Sequence, residues 1–129
     1  MSQQTPYRML GEDGIRRLVD IFYDIMDSAP EAEAVRAMHG DDTTEIRSKL
    51  ADYLNGWLGG PHHYHQKYGT VCLTEPHAHY HIGPQARDQW LWCMEQALQQ
   101  TGASDALRDL LKQPMFGIAD AVRNQDGDQ

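Results

Sequence analysis

The chain has little with which to staple itself, cross a membrane or grip nucleic acid. Only two cysteines, Cys72 and Cys93, occur in its 129 residues. The fold must therefore come from a packed core, which a chain of this length can bury. The two thiols are expected to be free, in a reducing compartment. No segment approaches the roughly 20 consecutive apolar residues of a membrane span. Met1 to Pro6 shows no basic start followed by an apolar stretch. A secretory leader is not expected, and the cytoplasm is the expected location. Basic residues are few and scattered: 11 Lys and Arg stand against 19 Asp and Glu, a formal charge of −8. Nucleic acid and anionic membranes both need clustered cations, so neither is an expected partner. Also missing are a glycine-rich phosphate loop, a cysteine-nucleophile pattern and a paired-carboxylate motif. Conventional hydrolase chemistry has no support. Val71-Cys72-Leu73 is too short to count as a strand.

What is present is a helical apolar period. Ile15, Leu18, Ile21/Phe22 and Ile25/Met26 recur at three- and four-residue steps, and Pro30 follows. A second helix is announced by Asp42-x-x-Glu45, read as an N-cap with Glu at the third helical position. It carries Ile46, Leu50, Tyr53/Leu54 and Trp57/Leu58 on one face and is stopped by Gly59-Gly60-Pro61. A third opens at Pro84, a residue suited to the first helical position, and runs through Trp90 and Met94 to Gly102. A fourth starts near Ser104 and continues through Leu107, Leu111, Met115 and Val122. Pro114 is expected to kink or split it. The pattern predicts one all-α domain over residues 1–129, with frayed ends at 1–6 and 124–129. It has four substantial helices and a long loop from Gly59 to Gly83. A structureless loop of that length in a small domain points to function.

That loop holds six of the seven histidines: His62, His63, His65, His77, His79 and His81. Imidazole is the commonest protein ligand for transition metals. The spacing is not that of a zinc finger, because no cysteine pair accompanies it. In an extended segment His77, His79 and His81 would share one side, a set suited to copper or zinc. From the residues alone any of these histidines can bind or be solvated. Trp90 and Trp92 are two apart and point to different faces, so at most one meets the main core. A buried Trp needs a partner for its indole N–H. Tyr23, if it faces a pocket, places a hydroxyl donor in an apolar cavity.

Several runs occur in a telling order. They are Leu18-Val-Asp-Ile-Phe22-Tyr23, Ile46-Arg-Ser-Lys49-Leu50, Gly56-Trp-Leu-Gly-Gly-Pro61-x-x-Tyr64-x-x-Lys67-Tyr-Gly69, His77, and Arg87-Asp-Gln-Trp90-Leu-x-Cys-Met94. In this order and spacing the chain resembles the group II truncated haemoglobins of bacteria, over roughly residues 7 to 124. The resemblance implies a two-over-two helical sandwich around haem b, with a short extra turn near His77, the proximal iron ligand. It implies a distal pocket lined by Tyr23, His39, Ile46, Leu50 and Trp90. Leu54 and Met94, with Phe22, supply apolar packing against or around the haem, and Tyr64 belongs to the same cofactor site. Lys49 matches a basic residue near a haem propionate, and Arg47 assists. Ile46 cannot donate a hydrogen bond, which leaves Tyr23, His39 and Trp90 as candidate donors.

The function so implied is reversible, high-affinity binding of O₂ and other diatomic ligands, with turnover of peroxide or nitric oxide as the enzymatic extension. An unidentified reductase is the implied partner, and a monomer or homodimer the implied state. Two rival readings come from other classes. One is a non-haem histidine-rich protein that binds zinc, copper or nickel. The other is a helical interaction module with no cofactor.

Overall fold

A computed structural model of the chain describes residues 5–39, 42–69 and 82–123. Among these residues every regular element is helical.

Helix α1, Pro6–Ser28, is capped by Thr5, whose hydroxyl accepts from the Arg8 N–H. Its first turns break from the rest at Gly11, whose φ of 77° only glycine adopts without strain. Beyond the break Ile15, Leu18, Val19, Phe22 and Met26 are buried at three- and four-residue steps. This is the apolar stripe read from the sequence, now extended N-terminally by a first segment whose Tyr7 and Leu10 pack against the core. A 3-10 turn at Pro30–Ala32 leads into the short helix α2, Glu33–Arg36. Neither carries enough residues to show a period, and the sequence pattern did not reveal them. Gln89 ties α2 down by accepting from the Val35 N–H at 2.9 Å.

Helix α3, Thr44–Trp57, starts one residue later than the Asp42 cap predicted. Thr43 occupies the cap position, and Asp42 instead accepts from both the backbone N–H and the hydroxyl of Thr44. The helix does end before Gly59-Gly60-Pro61, as expected. The run has a second role as well. Gly60 lies so close to Tyr7 that a Cβ there would sit 2.3 Å from the ring, and the Tyr7 N–H donates to the Leu58 carbonyl. The run thus seats the start of α1 on the end of α3.

The long loop is not wholly irregular: it contains helix α4, His63–Tyr68, closed by Gly69 at φ 72°. Residues 70–81, including His77, lie outside the described residues. Helix α5, Pro84–Gln100, opens at the predicted proline. Helix α6, Asp105–Ala121, is capped by Ser104 and runs unbroken through Pro114, so the expected split does not occur. The physical reason is exposure. Pro114 is exposed, and Leu110, whose carbonyl loses its helical partner, is 59% exposed, so water can take that hydrogen bond.

Helix α1 packs against both α3 and α5, and α5 packs against α6. Two helix pairs are thereby layered across a core of α1, α3, α5 and α6 side chains. No described helix is long and apolar enough to cross a membrane.

Candidate functional site

The two layers do not close everywhere. Between them lies a cavity of about 330 Å³. Helix α3 contributes Ile46, Lys49, Leu50 and Tyr53, which fall at three- and four-residue steps and so share a face. Helix α5 contributes Ala86, Arg87 and Trp90. The end of α6 supplies Ile118, Ala119 and Val122. Tyr23 of α1, His39 after α2, and Tyr64 of α4 complete the set with Val35, Met38 and Ile82.

Seven residues singled out in the sequence thus line the cavity: Tyr23, His39, Ile46, Lys49, Leu50, Tyr64 and Trp90. Leu54 and Met94 do not join them. They are 0% and 1% exposed, buried in the core against α1. Leu54 follows Tyr53 by one position and turns away from the cavity face. Met94 lies one turn beyond Trp90 and has rotated into the interhelical core. His77 lies outside the described residues, as do His79 and His81. Of the other loop histidines, His62, His63 and His65 sit at or in α4. Among the described residues no group of three metal-ligating side chains converges.

Among the described residues four donors border the cavity with no hydrogen-bond partner, the hydroxyls of Tyr23, Tyr53 and Tyr64 and the Trp90 indole N–H; of these Tyr23 and Trp90 both pack against Phe22. Tyr23 is 3% exposed and its ring meets Phe22 and His39 edge-on, with centroids 4.8 and 5.8 Å away. Burial raises its phenol well above the usual tyrosine range, and the nearby Arg47 charge opposes that only partly. Tyr23 therefore stays an O–H donor at any ordinary pH. Trp90 packs edge-on against Phe22 at 5.2 Å, so one phenylalanine orients both donors.

His39 differs from expectation. Its Nδ1 lies 2.9 Å from the Val35 carbonyl, which can only accept. Nδ1 carries the proton, so in the neutral ring Nε2 is an acceptor. Two neutral donors, Tyr23 and Trp90, remain of the three anticipated.

Arg47 is also corrected. It does not line the cavity. Its guanidinium reaches Asp24 at 2.9 Å and Asp20 at 3.3 Å on α1, and its Nε donates to Thr43. It lies 5.6 Å over the Tyr23 ring. It clamps α3 to α1 behind Tyr23, and these bonds with the two carboxylates raise its own pKa against the cost of burial. Lys49 does line the cavity and is half exposed, so its ammonium can meet an anionic group at the solvent edge. Arg87, missed in the sequence, lines the cavity from α5, one turn before Trp90. It is held by Asp88 and Asp120, both at 2.9 Å. Its charge stood out in no sequence pattern, although its place in the Arg87-Asp-x-Trp90 run offered the one available signal. Cys93 is fully buried and free, its thiol pushed up to about 11 chiefly by burial, so it is no nucleophile.

The lining is mostly aliphatic and aromatic, with unpartnered donors and a lysine near solvent. That chemistry fits a flat apolar macrocycle with acidic edge groups. The comparisons with known proteins agree. The model of the bacterial-like globin family matches residues 5–124. A group 2 truncated haemoglobin of Bacillus subtilis is 32% identical over 110 residues, covering 85% of this chain and 81% of its own. The group II two-on-two haemoglobin of Agrobacterium tumefaciens superposes with a TM-score of 0.91 at 36% identity, over 98% of each chain. The structure of a truncated oxygen-avid haemoglobin from Bacillus subtilis matches at 30% identity and a TM-score of 0.83, over 94% of this chain and 100% of that one. Globins of this kind carry haem iron, usually as haem b, and bind diatomic ligands such as O₂. A match across nearly the whole chain, on a two-over-two helical frame with a cavity of suitable lining, places this protein in the bacterial-like globin family as a group II truncated haemoglobin whose cofactor is haem.

Proposed function

We propose that haem lies in the cavity between α3, α5 and α6, and that the protein holds dioxygen there reversibly and with high affinity. The observation that carries this reading is the pair of donors Tyr23 and Trp90, both packed edge-on against Phe22 beside a cavity lined mostly by aliphatic and aromatic side chains. His77 would be the imidazole expected to hold the haem iron, and the iron would supply a binding position for a diatomic molecule.

The chain's own residues then decide how long that molecule stays. Dioxygen held at the iron would carry partial negative charge, and the Tyr23 O–H and Trp90 N–H would be the groups that donate to it. Hydrogen bonds to charged groups contribute about 1.5–3 kcal/mol each. Two together give about 3–6 kcal/mol, or roughly 10² to 10⁴ in dissociation. Apolar neighbours such as Ile46, Leu50 and Ala86 keep water from competing for the donors. Lys49 orients the cofactor by pairing with a propionate. Retention this strong suits chemistry on the ligand better than delivery of it, and the same donors suit polarising a peroxide O–O bond. The Bacillus subtilis haemoglobin described as oxygen-avid shares this fold.

The test is the rate at which dioxygen leaves the reduced, haem-loaded protein, read by stopped-flow displacement with carbon monoxide. Slow release is expected. Release as fast as from a haem–imidazole complex with no distal donors would refute the proposal.

A further inference from the structure

A row of tyrosines runs from the cavity wall to solvent. Tyr53 of α3 and Tyr64 of α4 both line the cavity. Their rings meet edge-on, with centroids 5.8 Å apart and planes at 88°. Tyr64 in turn lies against Tyr68, centroids 4.7 Å apart, and Tyr68 is 45% exposed. Core packing accounts for Tyr53, which packs against the core cluster, but not for the rest of the row. Helix α4 buries none of its residues, so Tyr64 and Tyr68 are not anchors of the fold. What three touching phenols share, and phenylalanine or leucine lacks, is ready loss of an electron and a proton.

We propose that Tyr53, Tyr64 and Tyr68 form an electron relay that makes Tyr68 a surface oxidation site for phenolic or aromatic-amine donors too large to enter the cavity. The oxidant is a hydroperoxide reduced inside the cavity. The inference rests on the reading that haem occupies this cavity, and not on slow release of dioxygen. The balance is as follows. The hydroperoxide O–O bond breaks and takes up two electrons and two protons, leaving one alcohol and one water. Two donor molecules each lose one electron and one proton at Tyr68, so two passages of the relay serve each hydroperoxide. Tyr53 and Tyr64 are restored after each passage.

Two details fit the outer end. The Lys49 ammonium lies 5.4 Å over the Tyr68 ring. A nearby cation disfavours a positively charged ring, so Tyr68 must release its proton together with its electron. Its exposure gives that proton direct access to water. At the inner end, burial and the neighbouring Tyr64 raise the Tyr53 phenol, so Tyr53 rests in its neutral form.

The experiment uses the haem-loaded full chain, hydrogen peroxide and a nitroso spin trap, with the trapped tyrosine located by peptide mass mapping and the radical followed by electron paramagnetic resonance. In the wild type the adduct is expected on Tyr68. Tyr64→Phe, compared at equal haem content and equal peroxide consumed, should lose it although Tyr68 is still present. Tyr64→Trp, which keeps an oxidisable ring, should restore it. An adduct on Tyr68 undiminished in Tyr64→Phe, or none on Tyr68 in the wild type, overturns the relay. Tyr68→Phe should abolish the adduct and leave the dioxygen off-rate unchanged. The placement of haem in the cavity is judged separately, by whether Trp90→Phe alters ligand release.

Discussion

Replacing Trp90 by phenylalanine removes the indole N–H and trims the ring, leaving a smaller aromatic side chain in its place. The indole N–H is the only donor Trp has. The ring that remains can still meet Phe22, whose centroid lies 5.2 Å from that of Trp90. If the N–H serves bound dioxygen, its loss costs about 1.5–3 kcal/mol, and the off-rate rises about 10- to 150-fold. Tyr23→Phe should act in the same direction, because its ring contacts to Phe22 and His39 survive while the hydroxyl is lost. The two donors share one acceptor, so the double variant should fall short of the sum, a coupling that a double-mutant cycle measures directly. Stopped-flow displacement gives the off-rates, and a thermal melt beside each variant gives the packing cost. That cost should be small for Tyr23→Phe, which fills nearly the same volume, and about 1 kcal/mol for Trp90→Phe, which loses part of a half-buried indole. An unchanged off-rate with a lower melting temperature would refute the reasoning and reduce Trp90 to a packing residue.

Other consequences are as open to measurement. His77→Gly should abolish stable haem incorporation, seen as loss of the Soret band, whereas His79→Ala and His81→Ala should retain it; loss of haem in His79→Ala would move the ligand. Tyr23 is an acid whose folded pKa is raised by burial, so the stability it contributes is complete below the ordinary tyrosine value of 10.0 and drains away as pH rises beyond it. Alkaline melts should therefore show a steeper loss of stability above about pH 10 in the wild type than in Tyr23→Phe, and equal slopes would contradict the burial argument. Gly60→Ala places a Cβ 2.3 Å from the Tyr7 ring and should cost about 1–3 kcal/mol in chemical denaturation by overpacking. Tyr7→Ala in the same chain should recover part of it, and no recovery would mean that the contact is not the cause.

The helices were legible where the apolar period is long. Ile15 through Met26 predicted the buried stripe of α1, and Pro84 marked the start of α5. The misses have physical reasons. Helix α4 and the turn at Pro30–Ala32 are too short for a period to emerge and bury little, so no apolar pattern announces them. The Asp42-x-x-Glu45 pattern predicts a cap at Asp42, and its side chain does accept the N–H of the first helical residue, Thr44, but Thr43 stands between them in the cap position. Pro114 was expected to break α6 because sequence rules carry no information on exposure, which is what lets the unpaired carbonyl find water. At the site, Tyr23 and Trp90 were readable from the order of the family's motifs. Tyr53, Arg87 and the α6 wall were not, because their roles arise only when α3, α5 and α6 are set face to face. Composition alone pointed to the histidine loop and could not say which imidazole matters.

The two donors that best define the site face the cavity with no described protein partner. Tyr23 is 3% exposed and Trp90 half buried. Phenylalanine at both positions would keep aromatic contacts to Phe22 and lose the donors. The chain instead spends Arg47 on fixing the back of the Tyr23 ring, and Phe22 on fixing the front of both donors. Such preorganisation makes sense only if the partner arrives from outside. It follows that ligand binding should stabilise the protein in proportion to its occupancy. Tyr23→Phe and Trp90→Phe should then narrow the gap in melting temperature between ligand-bound and ligand-free haem protein, even where they leave the ligand-free form as stable as before or more so. A gap that stays the same width in both variants would mean that the donors do not meet the ligand.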